Sequence, residues 1–136
     1  MVGLIIATHG NTSIELQNSL EMFSGKPAQC RTWKLNPGDD MKSKEEQLQQ
    51  YVREVDSGDG VLIMTDLFGG TPANLALKIS VSENVQVLTG VNLPMLIQFM
   101  SAREVSEMDE LIGGCMEEAV QGIKCPSKSL KREVFK

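Results

Sequence analysis

Val61-Leu62-Ile63-Met64-Thr65-Asp66-Leu67-Phe68-Gly69-Gly70-Thr71-Pro72 is the stretch from which the architecture can be read. Val61 to Thr65 is apolar without alternation, which suits a strand covered on both faces rather than one with a wet side. Asp66 to Gly70 is turn chemistry. Thr71-Pro72 then opens a helix, because threonine caps free backbone N–H groups and a proline at the first helical position lacks an N–H that would be orphaned anyway. A doubly covered strand that turns directly into a helix is half of a βαβ unit, the building block of parallel sheets.

The same grammar extends in both directions. β-rich apolar runs bounded by turn residues occur at Val2 to Ala7, Ala28 to Leu35 and Val85 to Thr89. Helical periodicity separates them: Thr12 to about Phe23, Met41 to Val55, Thr71 to Ser80, a helix opened by Asn92-Leu93-Pro94 and reaching Ala102, and Met108 to Ile123, stopped by Pro126. Strands alternating with helices predict an α/β fold with an open, mainly parallel, doubly wound sheet between two helical layers. In such sheets ligands bind beyond the carboxyl ends of the strands, where the strand order reverses. That rule selects three loops: Thr8-His9-Gly10-Asn11-Thr12, Asp66 to Pro72, and Thr89-Gly90-Val91-Asn92-Leu93-Pro94.

Composition narrows the chemistry. A chain of 136 residues fits one domain, whose folding removes roughly two-thirds of the unfolded surface from water. Its single histidine excludes sites that need two imidazoles from one chain, so no metal centre is expected. Three scattered cysteines, Cys30, Cys115 and Cys125, read as reduced thiols rather than a disulfide framework. The start lacks a basic lead and a cleavage site, and no apolar run approaches the roughly 20 residues of a bilayer span, so a cytoplasmic protein is expected. Residues 124–136 carry five basic groups against Glu133, a balance of +4, which leaves 8 basic and 17 acidic residues, or −9, before them. An acidic body with 4% aromatic residues argues against nucleic acid as a partner.

The only histidine falls just past one strand and Asp66 just past another, so both line one crevice in this fold. A carboxylate on one imidazole nitrogen fixes the tautomer and leaves the other nitrogen as a nucleophile. If that nitrogen takes a phosphoryl group, the oxygens need donors. Gly69, Gly70 and Thr71 offer them at one helix start, Gly10 and Thr12 at another, and the hydroxyls of Thr8 and Ser13 stand nearby. A histidine at a strand end is ordinary, but nothing about a stable sheet demands this combination at separate strand ends.

The blocks Gly3-Leu4-Ile5-Ile6-Ala7-Thr8-His9-Gly10, Leu62 to Asn74 and Val87 to Met95 resemble the IIA component of the mannose family of the bacterial sugar phosphotransferase system (PTS), in order and spacing from Met1 to about Ile123. The resemblance implies a flavodoxin-like three-layer phosphocarrier over residues 1–126 that uses no cofactor. Its histidine takes a phosphoryl group from the carrier protein HPr and passes it to a IIB component, which serves a membrane IIC/IID pair. On this chain it implies that His9 is phosphorylated through Nε2, that Asp66 orients it through Nδ1, and that Thr71 is the hydroxyl residue of the Gly-Gly-Ser/Thr-Pro turn. Ser129 to Phe135, within the basic tail 127–136, reads as a short edge strand, a linker toward a further module or a disordered end; the resemblance implies a homodimer with a carboxyl-terminal strand exchanged between subunits, which would give that segment a purpose. Leu67 and Phe68 depart from the threonine and tryptophan of some members, and Phe68 reads as a docking contact for HPr or IIB.

Two other readings share these residues. A related branch delivers phosphoryl groups to dihydroxyacetone kinase from a similar histidine, without the Phe-Gly-Gly-Thr-Pro pattern. A flavodoxin-like electron carrier would use Thr8 to Thr12 to cradle the phosphate of FMN, and it needs aromatic faces for the ring.

Overall fold

A computed structural model describes residues 1–134. Its elements run β1 Gly3–His9, α1 Thr12–Ser24, β2 Cys30–Leu35, α2 Met41–Val55, β3 Val61–Thr65, α3 Thr71–Ser80, β4 Val85–Thr89, α4 Leu93–Ala102, α5 Met108–Gln121 and α6 Pro126–Val134. The strands form one parallel sheet in the order β2-β1-β3-β4. The chain moves from β1 outward to β2, then crosses back past β1 to β3, so the order reverses between β1 and β3. That is the switch point at which a crevice opens.

Two cores follow from the alternation of side chains along the central strands. Leu4, Ile6, Leu62, Met64 and Leu88 face Leu20 of α1, Met95, Leu96 and Phe99 of α4, and Leu111 and Cys115 of α5. Ile5, Ala7, Val61, Ile63 and Val85 face Leu48 and Val52 of α2 and Ala76 and Ile79 of α3, with Trp33 among them. Burial on both faces is why β1 and β3 read as continuous apolar runs. Local signals set the helix starts: Asp40 accepts from Ser43 N–H at 3.1 Å, and Asn92 accepts from Met95 N–H at 3.0 Å while its amide donates to the Ala119 carbonyl at 3.1 Å.

At the pole opposite the crevice, the buried Arg103 at the end of α4 donates to the carbonyls of Val2 at 2.7 Å, Ala28 at 2.7 Å and Gln29 at 3.3 Å. One guanidinium thereby ties α4 to the amino ends of two strands, and burial holds its pKa below the ordinary value.

Two expectations about the carboxyl-terminal region need correction. The long helix ends at Gln121, before the proline, with Gly122 N–H closing on the Glu118 carbonyl at 3.0 Å. Pro126 begins a helix instead of ending one. The edge strand expected over Ser129–Phe135 is not formed in the described residues: Pro126–Val134 is α6, and Phe135 lies outside them. An exchanged strand takes its ladder from a second chain, whereas within one chain Leu130, Lys131, Arg132 and Glu133 are all good helix formers behind a proline at the first position.

Candidate functional site

The site begins with strand register. Ala7 of β1 lies opposite Thr65 of β3, so the two strands finish side by side, with His9 two residues beyond that pair and Asp66 one. Asp66 Oδ2 accepts from the backbone N–H of His9 at 3.1 Å and stands 2.9 Å from His9 Nδ1. Its other oxygen accepts from Leu67 N–H at 3.0 Å, which fixes the carboxylate plane. An ionised carboxylate only accepts, so Nδ1 is the protonated nitrogen and Nε2 keeps its lone pair. The histidine side chain is 45% exposed and the aspartate 20%, an open imidazole on a covered support. Partial burial alone would raise the Asp66 pKa, but the hydrogen bonds from the His9 ring and backbone outweigh it and hold the carboxyl below its usual value.

The second component is the start of α3. Gly70 is its cap, and the first helical bond runs from Asn74 N–H to the Gly70 carbonyl at 2.9 Å. The N–H groups of Thr71 and Ala73 therefore precede the helical ladder, and Pro72 has none. Gly70 lies against the ring itself: a Cβ built there would come within 3.0 Å of His9 Cε1 and 3.6 Å of Nε2. The imidazole thus rests with Nδ1 on Asp66 and its Cε1–Nε2 edge beside the positive end of α3. This arrangement can hold a tetrahedral anion on Nε2 with helix-start donors around it.

Several site candidates read from sequence find different work here. Thr71 is the first helical residue and not the cap, so its hydroxyl is not spent on capping. Gly10 supplies a left-handed turn at φ 56°, but its N–H donates to the Leu35 carbonyl at 2.8 Å and is not available to a phosphate. Thr8 and Ser13 are buried. The Thr8 hydroxyl accepts from Ser13 N–H at 2.7 Å, and the Ser13 hydroxyl donates to the Trp33 carbonyl at 3.1 Å, so both lock α1 to the sheet. Thr12 is exposed at the start of α1. Gly69, at φ 84°, lets the loop turn back toward the ring. Phe68 and Leu67 project beside the site, 85% and 58% exposed.

The sequence reading missed two donors, Leu67 N–H and Ala73 N–H. The second follows from Pro72, since a proline there leaves the third helical residue to supply the next N–H. The same geometry does not fit a flavin-phosphate loop. The Thr8 hydroxyl is buried against Ser13 N–H and Trp33 is 1% exposed, which takes one loop hydroxyl and the indole ring away from a flavin.

Residues 3–116 match the EIIA-man family model, described as PTS system fructose IIA component. The mannose-specific EIIAB component of the PTS from Escherichia coli (strain K12) is 31% identical over 125 residues, which cover 90% of this chain and 39% of that protein. The fructose-specific EIIA component from Bacillus subtilis (strain 168) is 28% identical over 133 residues, covering 97% of this chain and 91% of the other. Among solved structures, phosphotransferase system component EIIA from Streptococcus agalactiae matches with a TM-score of 0.86 at 29% identity, covering 94% of this chain and 99% of that one. The chain spans about two-fifths of the Escherichia coli relative's length.

Proposed function

The chain belongs to the EIIA-man family, the mannose-type IIA components of the sugar phosphotransferase system, and we propose that it is a phosphocarrier working through His9. The observation that carries this reading is the 2.9 Å contact of Nδ1 with Asp66, which leaves Nε2 bearing a lone pair beside the start of α3. Nε2 attacks the phosphorus of phosphohistidine on HPr. The new N–P bond forms as the old one breaks, and the departing imidazole of HPr keeps the electron pair. His9 becomes cationic as it reacts, and the ionised Asp66 stabilises that charge through Nδ1–H. The N–H groups of Thr71 and Ala73, with the Thr71 hydroxyl, receive the phosphoryl oxygens, so the crevice contributes positioning and oxyanion donors. The reverse sequence delivers the group to a IIB component.

Phe68 and Leu67 form the apolar lip on which either partner docks, since a protein that exchanges a group on an exposed nitrogen needs a surface around it. The acidic body speeds encounter with partners that present basic patches. A homodimer is part of the same reading. Met116 and Val120 of α5 and Ile123 just beyond it are exposed and line a 170 Å³ groove with Thr89 at the carboxyl end of β4, an edge strand of the sheet among the described residues. Among the described residues no helix is long and apolar enough to cross a membrane, which suits a carrier acting on the cytoplasmic side.

Onward transfer tests the reading. Phosphorylated chain, freed of HPr and mixed with a IIB component, should lose its phosphoryl group as IIB gains it. Release of inorganic phosphate with no gain on IIB would make the protein a hydrolase and end the carrier assignment.

A further inference from the structure

Away from His9, on the free edge of the sheet, Ile14 of α1, Thr32 and Lys34 of β2, and Lys44, Gln47 and Tyr51 of α2 line a cavity of about 230 Å³. Two lysines, two hydroxyl residues and one glutamine line it, and no acidic residue does. This is an unusual lining for a chain of net charge −5. Neither lysine is paired with a carboxylate among the described residues. Lys34 donates to the Asn11 side chain at 3.4 Å; Lys44 donates to Gln47 Oε1 at 2.9 Å and stands 4.9 Å from the Trp33 ring centre. Both lysines are half-buried as residues. Asp39, whose charge acts on Lys44, spends Oδ2 on Asn36 N–H at 2.8 Å. Burial lowers the Lys44 pKa, Asp39 opposes this, and the charge of Lys34 lowers it further, as two cations sharing one cleft require.

We propose that this cavity is a second anion site, built for the phosphate group of a small molecule. Two lysines provide point charges that do not need the planar geometry of a carboxylate, while Thr32 and Tyr51 supply hydroxyl donors to further oxygens. The volume lies below the roughly 300 Å³ at which drug-sized ligands begin to fit, so the occupant is a phosphate ion or a compact phosphomonoester. Lys34 reaches Asn11, two residues past His9, so an occupant would pull on the loop that carries the histidine.

The test is a two-dimensional amide NMR titration of the whole chain with inorganic phosphate and, separately, a hexose 6-phosphate, each matched in ionic strength with sodium chloride. Saturable shifts at Thr32, Lys34, Lys44, Gln47 and Tyr51 are expected. Saturation by both ligands assigns the site to phosphate itself, and by the ester alone to a sugar phosphate. Lys34→Gln and Lys44→Gln should each weaken binding by about tenfold, the worth of one charge-assisted hydrogen bond. Shifts reproduced by sodium chloride, shifts confined to Gly69–Ala73, or binding unchanged in both variants would overturn the proposal. Two variants guard against a local packing loss at Lys44 over Trp33. His9→Ala should leave this binding intact and Lys34→Gln should still accept phosphoryl groups, so failure here and failure of the carrier reading are separable.

Discussion

At the residue scale the site rests on what surrounds one imidazole. Asp66→Asn keeps the shape but presents an amide that can donate, so the ring loses its fixed tautomer and its counter-charge. Phosphoryl transfer should slow by about 10²- to 10⁴-fold while circular dichroism stays unchanged, and rates equal to the wild type would remove the aspartate from the reaction. The same contact affects stability in a defined pH window. The folded Asp66 pKa lies below the ordinary value near 3.9, so the stability it contributes is present above that value and lost as pH falls through the folded pKa. Urea unfolding of wild type and Asp66→Asn should therefore differ by a constant amount at neutral pH and converge in acid. Gly70→Ala puts a methyl 3.0 Å from His9 Cε1, which forces ring and helix start apart by a few tenths of an ångström. Transfer should fall between about tenfold and a hundredfold, with the imidazole nitrogen shifts moving toward a mixed tautomer. His9 and Asp66 were legible in the sequence because turn residues mark where strands end. The Gly70 contact was not, since it depends on how a helix start lies across a ring, and no spacing records that.

At the element scale, β1 and β3 were legible because burial on both faces removes polar residues from the run. The role of Thr8 was hidden by the same fact: on a doubly covered strand its hydroxyl points into a core and not into the crevice. There it accepts from Ser13 N–H and sets the start of α1. Thr8→Val keeps the shape and orphans that buried donor, which should cost about 1–3 kcal/mol, seen as a lower urea midpoint with phosphoryl acceptance retained. An unchanged midpoint would mean that α1 is anchored by other contacts. Helix ends were less legible than helix starts. Asn92 and Asp40 carry a capping side chain, whereas Gly122 ends α5 through backbone closure alone, and the proline beyond it starts a new helix.

At the scale of the whole molecule, the order β2-β1-β3-β4 brings residues 57 positions apart into one crevice at the switch point of the sheet. The carboxyl-terminal segment was not legible, because a short polar stretch read as an edge strand instead follows its own helix propensity behind Pro126. The dimer reading is open to test at the α5 surface. Val120→Arg puts a charge on an apolar strip left exposed among the described residues, so it should shift sedimentation toward the monomer with the circular dichroism of the folded chain retained; unchanged association would clear α5 of the interface. The central claim concerns His9, and the absence of any second histidine makes it simple to test. Intact-mass measurement after incubation with phosphoenolpyruvate, enzyme I and HPr should show one acid-labile phosphoryl group per chain, absent in His9→Ala. No gain in mass, an acid-stable phosphate, or equal labelling of the variant would contradict it.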